Sequence, residues 1–192
     1  MRRMLTLTAA AALFCAGCAA PDADTAGPAP DSSVVASSPA GTSGSPAPAP
    51  SGSGERLAAP EILRFTAPTV QGGTFDGTSV AGRPVVLWFW ASWCPTCRAA
   101  APGVRDLQRD LAGQVEVVGV AGLSSGAPGM RDFVDGYDLD GFPQLADDAG
   151  EVWRRFSVTQ QSYYVVLDAS GAEVARGPMT VDELRRTAGG LA

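Results

Sequence analysis

Histidine and lysine are both absent from this 192-residue sequence, and each absence removes a class of chemistry. Without histidine there is no general base of the usual kind, no imidazole metal ligand and no Ser/His or Cys/His nucleophile pair. Without lysine every basic side chain is arginine. The formal net charge is -6 and no run of arginine could track a phosphate backbone, so nucleic acid is not an expected partner. Cysteine is scarce too, with residues at 15, 18, 94 and 97 only. Catalysis must come from cysteine or carboxylate. The length suits one domain with an ordinary core once any tail lacking core-forming residues is set aside.

The first such tail starts the chain. Arg2 and Arg3 form a basic start, Met4 to Ala16 an apolar run too short to span a bilayer, and small residues lead to Gly17 and Cys18. Cys15-Ala16-Gly17-Cys18 resembles a bacterial lipobox, with Cys15 standing where that pattern usually has leucine. The resemblance implies a lipoprotein signal peptide over 1–17 and a diacylated Cys18 as the mature N-terminus. A plain cleaved secretion signal and an uncleaved anchor are the alternatives. Two acyl chains hold a protein firmly on a membrane, where one binds only marginally. Processing would also remove Cys15 and consume the Cys18 thiol, leaving Cys94 and Cys97 as the only pair in an oxidising compartment.

From Ala19 to Gly54 the chain is almost wholly Ala, Pro, Gly, Ser, Thr and Asp, without an aromatic residue. Such a segment cannot bury enough surface to offset its ordering entropy. We expect a lipid-anchored, disordered linker over 18–54, with a reach of roughly 30 to 36 Å, and a folded domain over 55–192. In that domain Phe65, Val70 and Phe75 around Gly72-Gly73 suggest a hairpin. Val85 to Trp90 is a continuous apolar run of the kind found in a strand buried on both faces. Cys94 to Leu111 has helical spacing, with Pro95 in the first turn and Pro102 predicting an interior bend. A strand over Val115 to Val120, a loop to Gly129, a helix over Met130 to Tyr137, a loop over 138–150 and a short helix at Val152 to Phe156 follow. Tyr163 to Asp168 and Ala172 to Arg176 flank the turn Ala169-Ser170-Gly171, and Asp182 to Ala188 closes as a helix. The order predicts an α/β fold: a mixed central β-sheet flanked by helices on both faces.

Trp93-Cys94-Pro95-Thr96-Cys97 stands between the buried strand and the first long helix. With two residues between them at a helix start, one sulfur points outward and the other back toward the body, close enough for a disulfide. Helix amides and the macrodipole favour an anion at Cys94, enriching the thiolate that attacks a partner's disulfide, and Cys97 then resolves the mixed disulfide. The alternatives are half of a zinc or cluster site shared between chains, or an inert pair; one chain has too few ligands to close a zinc site. Trp88, Phe89, Trp90, Phe133, Trp153 and Phe156 are expected in the core and Trp93 at the active-site surface. Asp147, Asp148 and Asp168 read as turn residues.

Val86 to Trp90 leading into the Cys94–Cys97 motif, Val118 to Ala121, Met130 to Leu139 and Asp148 to Trp153 together resemble the TlpA/DsbE branch of the thioredoxin superfamily. The likeness is greatest to secreted actinobacterial DsbE-type proteins. The resemblance implies a thioredoxin fold, Cys94 as nucleophile, Cys97 as resolver and Pro102 as the helix kink. It also implies work outside the cytoplasm on protein thiols or disulfides with a membrane redox partner, and no cofactor beyond the Cys94–Cys97 disulfide. Three positions depart from that pattern. Trp88 stands where thioredoxins carry a buried aspartate, Ala100 where reductive members often carry glutamate, and Ser162 where the family has its cis-proline. The first two leave an apolar site and favour oxidation of secreted proteins over the alternative, reduction for cytochrome c maturation. The third alters the substrate-docking loop of Gln161, Ser162 and Tyr163. It also keeps a non-catalytic metal or iron–sulfur binding module in view, although no metal is expected at the pair. A non-proline cis bond costs about 2.5 to 4 kcal/mol, so the bond before Ser162 is expected trans. Ser162→Pro is then expected to restore the docking edge and cover the cysteine pair, the alternative being a misfit in a loop already trans and adapted to serine.

Overall fold

The computed structural model describes residues 59–192. The signal segment 1–17, the Cys18 lipidation site, the linker 18–54 and the first residues of the domain, 55–58, lie outside the described residues. The described chain opens with a two-stranded antiparallel hairpin, β1 (Thr66–Pro68) and β2 (Thr74–Asp76), around the expected Gly72-Gly73 turn. The rest builds one five-stranded sheet from β3 (Val85–Trp90), β4 (Glu116–Ala121), β5 (Gln144–Ala146), β6 (Tyr163–Leu167) and β7 (Glu173–Gly177), in the order β5-β4-β3-β6-β7. The pairs β3/β4 and β4/β5 are parallel; β3/β6 and β6/β7 are antiparallel, which makes the sheet mixed.

Strand β3 occupies the centre because all six of its side chains are apolar and can be buried on either face. None is more than 1% exposed. At about 1.5–3 kcal/mol for each large side chain removed from water, this strand is the chief apolar anchor of the fold. Alternation divides it between two cores. Val86, Trp88 and Trp90 face α1 (Pro95–Asp110), α2 (Ala127–Gly136) and α4 (Val181–Gly189). Val85, Leu87 and Phe89 face the hairpin and α3 (Glu151–Arg155). Helices therefore cover both faces. Trp90 stacks on Phe133 at 4.3 Å, and Phe89 meets Trp153 edge-on at 5.2 Å.

Helix α1 buries Cys97, Ala101, Val104 and Leu107, spaced at three and four residues along one stripe, and continues on both sides of Pro102. Helix α4 starts with a capping box in which Thr180 and Glu183 satisfy each other's backbone amides. The expected loop over 138–150 is corrected by β5. This strand is only three residues long and begins with Gln144, a polar residue that is wholly buried because its amide accepts from Trp90 Nε1 at 3.1 Å and donates to the Leu139 carbonyl at 3.0 Å. Helix α2 likewise starts at Ala127, three residues before the expected Met130, because Pro128 can occupy a first helical turn.

Candidate active site

Parallel β3 and β4 end at the same edge of the sheet, and antiparallel β6 begins there. Three connections meet at that edge: Ala91 to Cys94, Gly122 to Gly126, and Gln161-Ser162. Cys94 is the N-cap of α1 and its sulfur accepts the backbone N–H of Cys97 at 3.2 Å. Both cysteines are free thiols in this structure. The sequence placed the Cys94 sulfur outward; the structure corrects this, since Cys94 is 3% exposed and Cys97 0%. Cys94 is buried between the exposed Trp93 on one side and the exposed Pro95 and Thr96 on the other.

The turn entering the motif is braced by residues distant in sequence. Ser92 N–H donates to Ser125 Oγ at 3.0 Å, and Ser125 Oγ donates to the Gly122 carbonyl at 2.6 Å. Asp148 accepts the amides of Ser125 and Gly126 at 3.0 and 2.9 Å, while both Nε and Nη2 of Arg98 donate to the Ser92 carbonyl. Leu123 and Ser124 between them hold left-handed backbone, φ 54° and 59°. This loop presents Leu123 beside the motif, and Trp93 Nε1 donates to its carbonyl at 2.9 Å. Ser92, Arg98, Ser125 and Asp148 were not legible as a constellation, because only tertiary folding brings them together. Asp148 does more than shape its own turn. Asp147 caps α3 through the amides of Glu151 and Trp153, and Asp168 holds the β6–β7 turn.

A groove of about 290 Å³ runs alongside, lined by Trp93, Arg98, Asp132, Phe133 and Tyr137 among others. A larger hollow of about 430 Å³ lies between Phe65 and α3, on the other face of the sheet from the cysteines. The three residues of the expected docking loop separate. Gln161 is half-buried. Ser162 is 7% exposed with φ 55°, every described peptide bond is trans, and its backbone amide faces Cys97. Tyr163 packs against the opposite core with Arg176 over its ring at 5.8 Å, turned away from the sulfur pair.

Behind Cys97 the site is apolar. Trp88 is fully buried and Ala100 packs against the same core. Among the described residues the one buried carboxylate is Asp147, and its oxygens are taken by α3 amides. Burial, followed by the hydrogen bond to Cys94, pushes the Cys97 thiol from an ordinary 9.0 up to about 12; the backbone amides of Ala91 and Ser162 act in the opposite sense by favouring the anion. Among the described residues no group of three or more His, Cys, Asp or Glu side chains could hold a metal ion.

This arrangement has counterparts in known proteins. Residues 58–180 match the AhpC/TSA family. The soluble secreted antigen MPT53 of Mycobacterium tuberculosis is 39% identical over 132 residues, 67% of this chain and 75% of its own. The thiol-disulfide oxidoreductase ResA of Oceanobacillus iheyensis is 31% identical over 131 residues, 66% of this chain and 67% of its own. Among solved structures, MTB DsbF superposes with a TM-score of 0.65 at 45% identity, covering 70% of this chain and 99% of that one. A secreted M. tuberculosis disulfide oxidoreductase homologous to E. coli DsbE gives 0.64 at 37% identity, covering 69% and 100%. The chain therefore belongs to the AhpC/TSA family of thioredoxin-fold proteins and, within it, to the DsbE-like thiol:disulfide oxidoreductases.

Proposed function

We propose that this enzyme oxidises thiols of secreted proteins outside the cytoplasm, using Cys94 and Cys97 as its sole redox group and no further cofactor. The observation that carries the reading is the placement of Cys94 at the start of α1, its sulfur already accepting a helix amide, with the buried Cys97 directly behind it. A substrate thiolate attacks Cys94, Cys97 leaves, and the second substrate thiol completes the transfer. The oxidising direction rests on the apolar surroundings set by Trp88 and Ala100, where no carboxylate is present to take up protons. A membrane redox partner would restore the disulfide. A lipid on Cys18, with 18–54 as tether, would keep the domain beside that partner.

Equilibration of the full chain with glutathione buffers tests the direction. Potentials near about -120 to -180 mV are those of oxidants, and a value near about -270 mV is that of thioredoxin. The former supports oxidation; the latter would reverse the assigned direction. Replacing Cys94 with serine should abolish exchange, and replacing Cys97 with serine should trap mixed disulfides on gels. Membrane association of Cys18→Ala reports on the anchor.

A further inference from the structure

The turn from Gly122 to Gly126 has a shape its residues do not adopt freely. Leu123 and Ser124 both hold left-handed backbone, φ 54° and 59°, where a Cβ is crowded by its own chain. Two such residues in succession persist only where surrounding bonds fix them. The turn supplies one such bond itself, from the Ser125 hydroxyl to the Gly122 carbonyl. Asp148 supplies two more from outside: its Oδ1 accepts the Ser125 amide and its Oδ2 the Gly126 amide. The segment bearing Asp148 is itself anchored. Asp147 N–H donates to the Ala121 carbonyl at the end of β4 at 2.9 Å, and the Asp147 carboxylate caps α3. In this braced form the turn reaches the motif at two points. Ser125 Oγ accepts the Ser92 amide, and the Leu123 carbonyl takes the single hydrogen bond that the Trp93 indole can donate. Trp93 is 48% exposed, precedes Cys94 and forms one wall of the adjoining groove.

We propose that Asp148 is a positioning residue for exchange with polypeptides: by holding the Gly122–Gly126 turn in its left-handed form, it sets the Trp93 ring against which a client chain lies while its cysteine meets Cys94. The proposal rests on the sulfur-pair reading above and leaves the bond-making steps of that reading untouched. Asp148 bonds to backbone amides and to neither sulfur. The Cys94 sulfur takes its helix amide from Cys97, independently of the turn. Arg98 also grips the Ser92 carbonyl from α1, so the chain entering the motif keeps one support when the turn relaxes, whereas the Trp93 ring loses its only hydrogen bond. A thiol small enough to reach Cys94 without lying along Trp93 is therefore indifferent to the brace, and a peptide is not.

Exchange of the oxidised full chain with a reduced two-cysteine peptide and with dithiothreitol tests the assignment, followed in Asp148→Ala, in Asp148→Asn and in Asp148→Ala combined with Ser124→Gly. Asp148→Ala should raise the half-saturating peptide concentration about tenfold, the scale of one lost hydrogen bond to a charged group, with the limiting rate and the dithiothreitol rate at parent values. Asp148→Asn keeps one oxygen that can accept an amide and should give a smaller rise. Glycine enters left-handed backbone without the steric cost, so adding Ser124→Gly should recover much of what Asp148→Ala loses. An unchanged peptide response in Asp148→Ala, a dithiothreitol rate that falls in step with it, or no recovery through Ser124→Gly would overturn the proposal. Should melting curves show that Asp148→Ala does not fold, the same comparison of peptide with dithiothreitol in Asp148→Asn decides. Failure of the parent chain to exchange with either probe would tell instead against the sulfur-pair reading.

Discussion

Ser162 holds left-handed backbone at the start of β6, and that geometry keeps its amide directed at Cys97. Proline has no amide to offer and is confined to φ near about -65°, far from the observed 55°. The structure therefore overturns the expectation that Ser162→Pro restores the docking edge and favours the alternative, a misfit. We expect the substitution to cost about 1–3 kcal/mol in urea unfolding, the scale of one strained backbone position, and to leave exchange no faster. A more stable or more active variant would show that the loop readily adopts the proline form. At this scale the sequence is informative about residue types and poor about orientation. The cysteine pair stood out through its position before a helix. The burial of Cys94, the turning away of Tyr163 and the amide of Ser162 depend on backbone angles that spacing does not encode.

Among the elements, those legible in sequence were the ones whose side chains repeat. Strand β3 is apolar throughout, α1 carries an apolar residue every three or four positions, and the β6–β7 turn has Asp168 and Gly171 where a tight reversal needs them. Strand β5 has no such signal: three residues give no period, and a glutamine suggests solvent. It exists because β4 offers a glycine at the matching place. Gly119 pairs with Gln144, and a Cβ there would lie 1.9 Å from Gln144 Oε1. Gly119→Ala should therefore push Gln144 off Trp90 and loosen β5. Overpacking of this kind costs about 1–3 kcal/mol, measurable as a lower urea midpoint with little change in slope. An unchanged midpoint would mean that the edge of the sheet is softer than its hydrogen bonds suggest.

For the molecule as a whole, the buried thiol makes stability depend on both pH and redox state. Cys97 ionises near 9.0 when unfolded and near about 12 when folded, so unfolding releases a proton between those values. The unfolded state then binds fewer protons, and stability falls as pH rises through that window, having been fully present below it. The disulfide form has no such thiol. The melting temperature of the reduced protein should therefore drop relative to the oxidised protein above about pH 9, and parallel curves would contradict the burial of Cys97.

The two rims of the sheet have a different consequence. Strand β5 is short, and Val70 N–H bonds its Gln144 carbonyl at 2.8 Å, with a further bridge from Thr69 to Leu145. On the other side β7 exposes Glu173 and Arg176, follows a register irregularity at Val166/Leu167 and is succeeded by Pro178. Charge, irregular pairing and proline are the features that stop one sheet from adding to another. Val174 is nearly half exposed on that same strand, so the charges beside it act as its gatekeepers. Converting Glu173 and Arg176 together to valine should leave the fold intact yet make light scattering climb with concentration. For a thiol:disulfide oxidoreductase present in many copies, a self-avoiding rim keeps those copies from polymerising with one another.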